Sequence, residues 1–391
     1  MSLIVALLAV KAGQAGSRDQ TKPLPPFVSF QRVNDRNLIT VNNPEQITAV
    51  DLGDANQGNT VIYRDTIAPG KYRDWFEHTN RFGLTIGYGI SIVNPGTTPV
   101  TVTYWNRGFT TGFNGGTPFS LMFGSYPANG TANVIQPGAR FWLWRNDNSV
   151  TNTTFFSGVV DFDVAGGSVV VENIAYRSFS ALTGTRSYQG YIQRIEPDGT
   201  HCARQYKGMA DTATVQSQPM DFRIFENSVG PQLVRCSDYI LATGGNYPVV
   251  ARNYWFSNIG PGQNTQATTS DMVSWNMPGW GLINPVTQSD GEGKYPNLGN
   301  WAVCYIVRGS VTNLGTSSKT VTLNLQAPAG GGSPIAYRES DGVWRQLKIN
   351  AGQNVAYYTF TVPGGQKVDF DGRYILGGPG AGSLKNTVVV N

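Results

Sequence analysis

Charge is scarce in this sequence. Only 14% of the 391 residues are Asp, Glu, Lys or Arg, against a usual quarter. The net charge is +4, and no run of Lys or Arg is longer than two. Scattered arginines such as Arg64, Arg73, Arg81 and Arg107 therefore read as solvated strand faces, and a nucleic-acid-binding stripe is not expected. Histidine is rarer still, with His78 and His201 alone. Neither adjoins a G-x-S-x-G elbow or a Cys–His signature, which removes the familiar hydrolase patterns. The three cysteines, Cys202, Cys236 and Cys304, lack the spacing of a zinc site. Helical periodicity is missing beyond one or two turns, so helix bundles and α/β folds are excluded.

Glycine and aromatic residues are abundant instead: 47 Gly, and 12% Phe, Trp and Tyr. With Thr, Val and Asn this is the composition of an all-β chain with many tight turns. A disordered chain would lack the aromatic and β-branched residues. Alternation of apolar and polar residues marks strands at 89–93, 100–105, 159–164, 168–174, 355–362 and 367–375. Each successive pair is joined by a short Gly- or Pro-containing turn and is expected to form a hairpin.

One of these hairpins is written twice. Ser91–Thr103 (SIVNPGTTPVTVT) and Ser310–Thr322 (SVTNLGTSSKTVT) agree at seven of thirteen positions without a gap. Three further matches fall in the same order: Ile67-Ala-Pro-Gly with Ile259-Gly-Pro-Gly, Val134-Ile-Gln-Pro-Gly with Lys348-Ile-Asn-Ala-Gly, and VDFD at 160–163 and 368–371. The spacing is too long for a solenoid or propeller, whose units are about 20–50 residues. It implies a tandem duplication of one domain. The expected fold is all-β: two antiparallel β-sandwich domains of jelly-roll or Greek-key type.

Residues 21–185 form the first expected sandwich, 186–250 a linker with the divergent start of the second, and 251–391 the second. The second carries an aromatic insertion at about 263–298. Residues 1–20 read as a signal peptide or an N-terminal strand. The apolar run Leu3–Val10 precedes small residues suited to cleavage near Gly16, and it is too short to span a bilayer. If retained, it is suited to pair with a neighbour's open sheet edge and join copies into a filament. Export would permit a Cys202–Cys236 disulfide, with Cys304 a buried thiol in the apolar stretch WAVCYIV.

The stretch Arg373-Tyr-Ile-Leu-Gly-Gly-Pro-Gly-Ala-Gly-Ser-Leu, with Ile67–Arg73, Trp75–Phe82 and the following Val-Asn-Pro turn, resembles exported β-rich surface proteins of spore-forming, often thermophilic bacteria. The resemblance covers about a quarter of the chain, in patches. It implies secretion and a cell-surface setting, and it carries no catalytic residues.

Three groups could carry chemistry. The first is Asp74-Trp-Phe-Glu-His78, where Asp74, Phe76 and His78 share one strand face and read as a surface strand of mixed charge. The second is the Asp-x-Asp pair, Asp161 with Asp163 and Asp369 with Asp371. A catalytic pair is seldom needed twice, so calcium is the better ligand for it than a glycoside, and it is the one cofactor the sequence suggests. The third is a row of rings, Trp255, Trp275, Trp280, Tyr295 and Trp301, suited to stacking on sugars. The leading expectation is a non-enzymatic structural or adhesive protein, able to assemble with itself. A carbohydrate-binding protein is the alternative, and a glycan-active enzyme comes third.

Overall fold

The alternating segments all become strands, but most do not pair with their chain neighbours, and that sets the architecture. The computed structural model of the chain describes residues 30–33, 35–42, 44–52, 58–177, 207–210, 212–217, 219–224, 226, 230–240, 250–256, 301–327, 331–378 and 384–391. Strands β1 (Phe30–Val33), β2 (Asn37–Val41) and β3 (Gln46–Thr48) lead through one helical turn, α1 (Ala49–Leu52), to the first sandwich. Its strands are β4 (Asn59–Ile67), β5 (Gly70–Arg81), β6 (Ile86–Val93), β7 (Val100–Thr111), β8 (Thr131–Ile135), β9 (Arg140–Val150), β10 (Phe155–Ala165) and β11 (Val169–Tyr176). Helix α2 (Thr117–Gly124) lies between β7 and β8. Next come β12 (Lys207–Ala210), β13 (Thr214–Ser217), β14 (Met220–Ile224), β15 (Gly230–Ile240) and β16 (Val250–Phe256). The chain continues with β17 (Cys304–Asn313), β18 (Lys319–Gln326), β19 (Ser333–Arg338), β20 (Trp344–Ile349), β21 (Asn354–Val362), β22 (Lys367–Leu376) and β23 (Lys385–Val390).

Four strands of the first sandwich make one sheet in the order β4-β11-β6-β9. The other sheet runs β5-β10-β7-β8, extended beyond β5 by β2, β3 and β12. Counted from β4, the orders are first-eighth-third-sixth and second-seventh-fourth-fifth, which is a jelly roll. Every step along the chain except β7 to β8 crosses from one sheet to the other. The four expected hairpins are therefore arches between sheets: β6 to β7 and its copy β17 to β18, β10 to β11, and β21 to β22. Alternation reports only which side of a strand meets the core. It is the same whether the next strand lies beside it or opposite.

The second sandwich repeats the plan. Its sheets place β17 beside β22, and β15-β23-β18-β21 in order, so β14, β15, β17, β18, β21, β22 and β23 take the first seven jelly-roll positions. One difference is informative. In the first sandwich β4 and β6 run in the same direction, because both are antiparallel to β11 between them. In the second, β13 and β14 pair directly and in parallel with β17, filling the eighth-strand position. The first-position strand has closed onto the third. Two added elements occupy the same place in each plan, between the fourth and fifth strands: α2 in the first sandwich and the β19–β20 hairpin in the second.

The doubled motif Asn-x-Gly-Thr caps equivalent arches with equivalent bonds. Asn94 donates to the carbonyls of Thr98 (2.8 Å) and Ile135 (3.0 Å), and its Oδ1 accepts from Gly96 N (2.9 Å). Asn313 does the same to Ser317 (2.8 Å) and Val362 (3.0 Å), and accepts from Gly315 N (2.9 Å). Both side chains are fully buried, so each satisfies carbonyls that would otherwise be stranded away from water.

Two of the other motif matches do not survive. Val134-Ile-Gln-Pro-Gly leaves β8, whose counterpart is β21, whereas Lys348-Ile lies in β20. The true counterpart of the Gln136–Ala139 turn is the one at Pro363–Gln366, since Ile135 and Val362 accept the same Asn bond. VDFD at 160–163 lies in β10, the seventh strand, and at 368–371 in β22, the sixth. Asp161 and Asp369 are therefore not equivalent. The match of Ile67–Gly70, at 259–262, lies outside the described residues, and so does the whole of the expected insertion at about 263–298.

Candidate functional site

Strand β5 is where the chain concentrates its scarce charge. Its segment Asp74–His78 and the preceding Arg73 were expected at the surface; instead Arg73, Asp74, Glu77 and His78 are all buried. The reason is position. Strand β5 sits inside its sheet between β2 and β10, with the first sandwich's core on one side and the second sandwich on the other.

Even-numbered residues face the interior of the first sandwich. Tyr72 stacks on Phe162 and Phe76 on Tyr88. Between these rings runs a polar chain. His78 Nδ1–H donates to the Pro44 carbonyl (2.7 Å), and His78 Nε2 lies 3.1 Å from the Tyr88 hydroxyl. Tyr88 OH is also 3.1 Å from Asn173 Oδ1, and the Asn173 amide donates to Asp74 Oδ2 (2.8 Å). Asp74 Oδ1 has no hydrogen-bond partner among the described residues. Burial pushes the Asp74 carboxyl up to about 7, against the downward pull of Asn173. Aspartate, histidine, tyrosine and asparagine are all 0% exposed, so a substrate would have to open the sandwich to meet them. What the network can do is hold two sheets in one register and make that hold depend on protonation.

The sign of that dependence follows from the raised carboxyl. The unfolded Asp ionises near pH 3.9, whereas the folded one keeps its proton to about 7. The folded state binds the extra proton between those values, so its stability falls as pH rises from about 4 to about 7 and is level above, by an order of about 4 kcal/mol. Below about pH 4 the group is protonated in both states and contributes no slope. Urea unfolding of Asp74→Asn should lack this component of the decline; wild type and variant falling in parallel would refute it.

Odd-numbered residues of β5 face the second sandwich. Arg73 forms a bidentate pair with Asp161 on the neighbouring strand β10, at 2.8 and 3.0 Å. Arg36 approaches Asp161 Oδ2 at 3.4 Å, and Tyr126 OH donates to the same oxygen at 3.1 Å. Burial alone would push Asp161 up, but Arg73, Arg36 and Tyr126 together hold it below the ordinary carboxylate range. The Arg73 guanidinium also lies over Phe123 of α2, 4.9 Å from the ring centre, and Phe123 stacks on Trp344 of the β19–β20 hairpin at 4.4 Å. Thr117 and Gln346 hydrogen-bond across the same junction. Glu77 accepts from Asn42 (3.1 Å), and burial, reinforced by Glu45, raises its carboxyl well above the usual range.

Glycine allows the two sandwiches to touch backbone to backbone. A Cβ on Gly115 would fall 1.5 Å from the Gly378 carbonyl oxygen, and one on Gly377 2.1 Å from the Gly115 oxygen. One apolar cluster runs through the contact, from Leu38, Trp75, Phe119 and Met122 to Ile335 and Tyr374.

The expected ligand residues fare differently. Asp161 is taken up by its arginines, Asp163 lies 3.8 Å from Arg36, and Asp371 pairs with Arg373 at 2.7 Å. Asp369 is exposed on β22. The calcium expectation therefore loses its premise, because the two Asp-x-Asp pairs stand on non-equivalent strands and three of the four carboxylates face guanidinium groups. Among the described residues no group of three or more His, Cys, Asp or Glu side chains could hold a metal ion. Trp301 is 6% exposed within the second core, so its ring does not face solvent as sugar stacking requires. Trp275, Trp280 and Tyr295 lie outside the described residues, and of Trp255 and Cys236 only the strand positions are described. Cys202 also lies outside them; Cys304 is a buried free thiol, raised to about 12 mainly by burial. No helix of the described residues is long and apolar enough to cross a membrane.

No family model matches the chain. No curated protein matches it either. Among solved structures, it is similar to a tandem CBM22 domain pair from Paenibacillus barcinonensis Xyn10C at TM-score 0.14 and 6% identity, covering 87% of this chain and 92% of that one. A variant of oxalate decarboxylase from Bacillus subtilis is similar at TM-score 0.14 and 10% identity, over 95% of this chain and 79% of the other. Likeness at this level carries no argument about function.

Proposed function

We propose that the protein is a structural subunit that assembles with copies of itself into a shell or an exported surface layer. The observation that carries this reading is the contact between its two sandwiches. It is heterologous in its sheets: the outer face of the first sandwich's larger sheet, built on the second, seventh, fourth and fifth strands, meets the second sandwich's sheet of first, third and sixth strands, with α2 and the β19–β20 hairpin touching at its border. A heterologous contact uses different surfaces on its two partners, so related surfaces at the far sides stay available to further copies, and repetition gives rings or open arrays. Jelly rolls serve in capsids, lectins and cupins alike, so fold class by itself does not choose between them.

Two further features favour assembly. The sandwich interior is filled with rings, among them Phe76, Tyr88, Trp144 and Phe156, which suits a rigid tile. Large apolar side chains are exposed around the paired insertions: Phe113 at 67%, Leu121 at 50% and Val343 at 48%. Sedimentation velocity over a wide concentration range, with electron microscopy of the heaviest fraction, tests the reading. Concentration-dependent species and ordered arrays or shells are expected. A protein that stays monomeric at every concentration and yields no ordered assembly overturns it.

A further inference from the structure

The two arches capped by Asn94 and Asn313 share their internal bonds, yet among the described residues only the second carries an added partner. In the second sandwich, Glu226, just beyond β14, lays its carboxylate on the arch. Oε2 accepts from Thr316 N (2.6 Å), Ser317 N (3.2 Å) and Thr316 Oγ1 (3.2 Å), while Oε1 accepts from Ser317 Oγ. Gly315 makes the approach possible, since a Cβ there would stand 2.5 Å from Glu226 Oε2 and 2.9 Å from its backbone nitrogen. The cradle binds firmly for an exposed site. It holds the Glu226 carboxyl down to about 2, with the Ser317 hydroxyl its foremost donor.

The first arch has the same chemistry at the same places. Thr97 and Thr98 stand where Thr316 and Ser317 stand, each offering a backbone N–H and a hydroxyl, and Gly96 stands where Gly315 does. Asn94 fixes the loop with the bonds that Asn313 makes, so the donors are held in the arrangement that grips Glu226. Residues 95–99 are exposed, and among the described residues a Cβ on Gly96 would meet only Asn94 Oδ1, at 3.2 Å. Among the described residues, no acidic side chain reaches these donors. Two N–H groups and two hydroxyls converging from a rigid loop make an anion-binding concavity suited to a planar carboxylate.

We propose that the arch at Asn94–Thr98 is a binding site for a glutamate or aspartate side chain contributed by a second copy of this chain. The site thereby acts as a specific contact within the assembly, and in that respect it rests on the structural reading above. The chain already demonstrates the contact in cis, where the carboxylate follows a first-position strand. The corresponding strand of the first sandwich, β4, turns instead through Ala68 and Pro69 directly into β5, so it supplies no acid to its own arch.

The test combines a variant with a direct probe. Thr97→Val with Thr98→Val removes both hydroxyls at exposed positions and keeps the side-chain shape. Sedimentation should show self-association weakened at least tenfold. Amide NMR of the wild-type protein should show the Thr97 and Thr98 N–H signals moving downfield as concentration rises. A variant that assembles like wild type, with those two amides unmoved through the association, overturns the proposal. Movement that is present at the lowest concentration and independent of dilution assigns the carboxylate to the same chain and overturns the contact between copies. Should the protein remain monomeric throughout, the structural reading and the contact between copies both fail, and the arch's affinity for a carboxylate is probed separately with the capped tripeptide Ala-Glu-Ala. Saturable movement of the two amides then upholds a carboxylate site, and its absence removes it.

Discussion

Arg73→Met is expected to lower the stability of the whole chain by about 3–5 kcal/mol, the loss typical of breaking a buried ion pair from one side. Arg73 and Asp161 are 2% and 1% exposed, so solvent does not screen them. Methionine fills much of the arginine stem's volume but leaves Asp161 ionised in a buried setting, with Arg36 at 3.4 Å and Tyr126 at 3.1 Å as its remaining partners. The loss is the cost of the stranded carboxylate, which the paired variant separates from packing. Arg73→Met with Asp161→Leu should recover most of the stability, because a well-packed apolar pair replaces the ions. Chemical unfolding of the two variants and the wild type decides this. A single variant within about 1 kcal/mol of wild type, or a double variant no better than the single, would show that the pair does not act as a unit.

That pair also shows what was hidden in the sequence. Arg73 is partnered by a residue 88 positions away, on a strand brought alongside by the jelly-roll crossover. Read locally, Arg73-Asp74-Trp-Phe-Glu-His78 has the alternation and charge of a solvated strand; only the sheet order places it between two cores. Composition and period-two alternation did reveal the all-β sandwiches, because both follow from local burial. They could not reveal which strands are neighbours, so arches were taken for hairpins. The Asn-x-Gly-Thr repeat was legible because the bonds it makes are mostly within the loop itself. The Asp-x-Asp match misled for the opposite reason: a short alternating strand of Val, Phe and Asp suits many sheet positions and identifies none. Among the aromatic residues expected to face sugars, Trp301 carries no local signal separating a core ring from an exposed one, and it proved to be core.

The seam between the sandwiches supplies the other large effect. Gly115→Ala adds one methyl group, and nothing in the contact can move aside for it. Its Cβ would sit 1.5 Å from the Gly378 carbonyl oxygen and 2.5 Å from the carbonyl carbon, both of them backbone atoms. A clash with a flexible side chain is relieved by a rotamer change; this one requires the sandwiches to separate. Overpacking commonly costs about 1–3 kcal/mol, and a backbone collision belongs at or above the top of that range. Separation would also part Phe123 from Trp344 and Thr117 from Gln346, which hold the same junction. The expected result is a chain whose two sandwiches remain folded while amide exchange quickens at residues 115–117 and across β19–β20. Gly124→Ala, at the end of α2, is the control: among the described residues no atom beyond its own helix and chain neighbours lies within 4 Å of its Cβ, so stability should be unchanged or slightly raised. If Gly115→Ala exchanges and unfolds like wild type, the two sandwiches are not held by this seam, and the heterologous contact loses its place as the pattern for assembly. If the seam opens as expected, self-association should fall with it, because a subunit whose halves no longer keep a fixed angle cannot present its outer surfaces in register to the next copy.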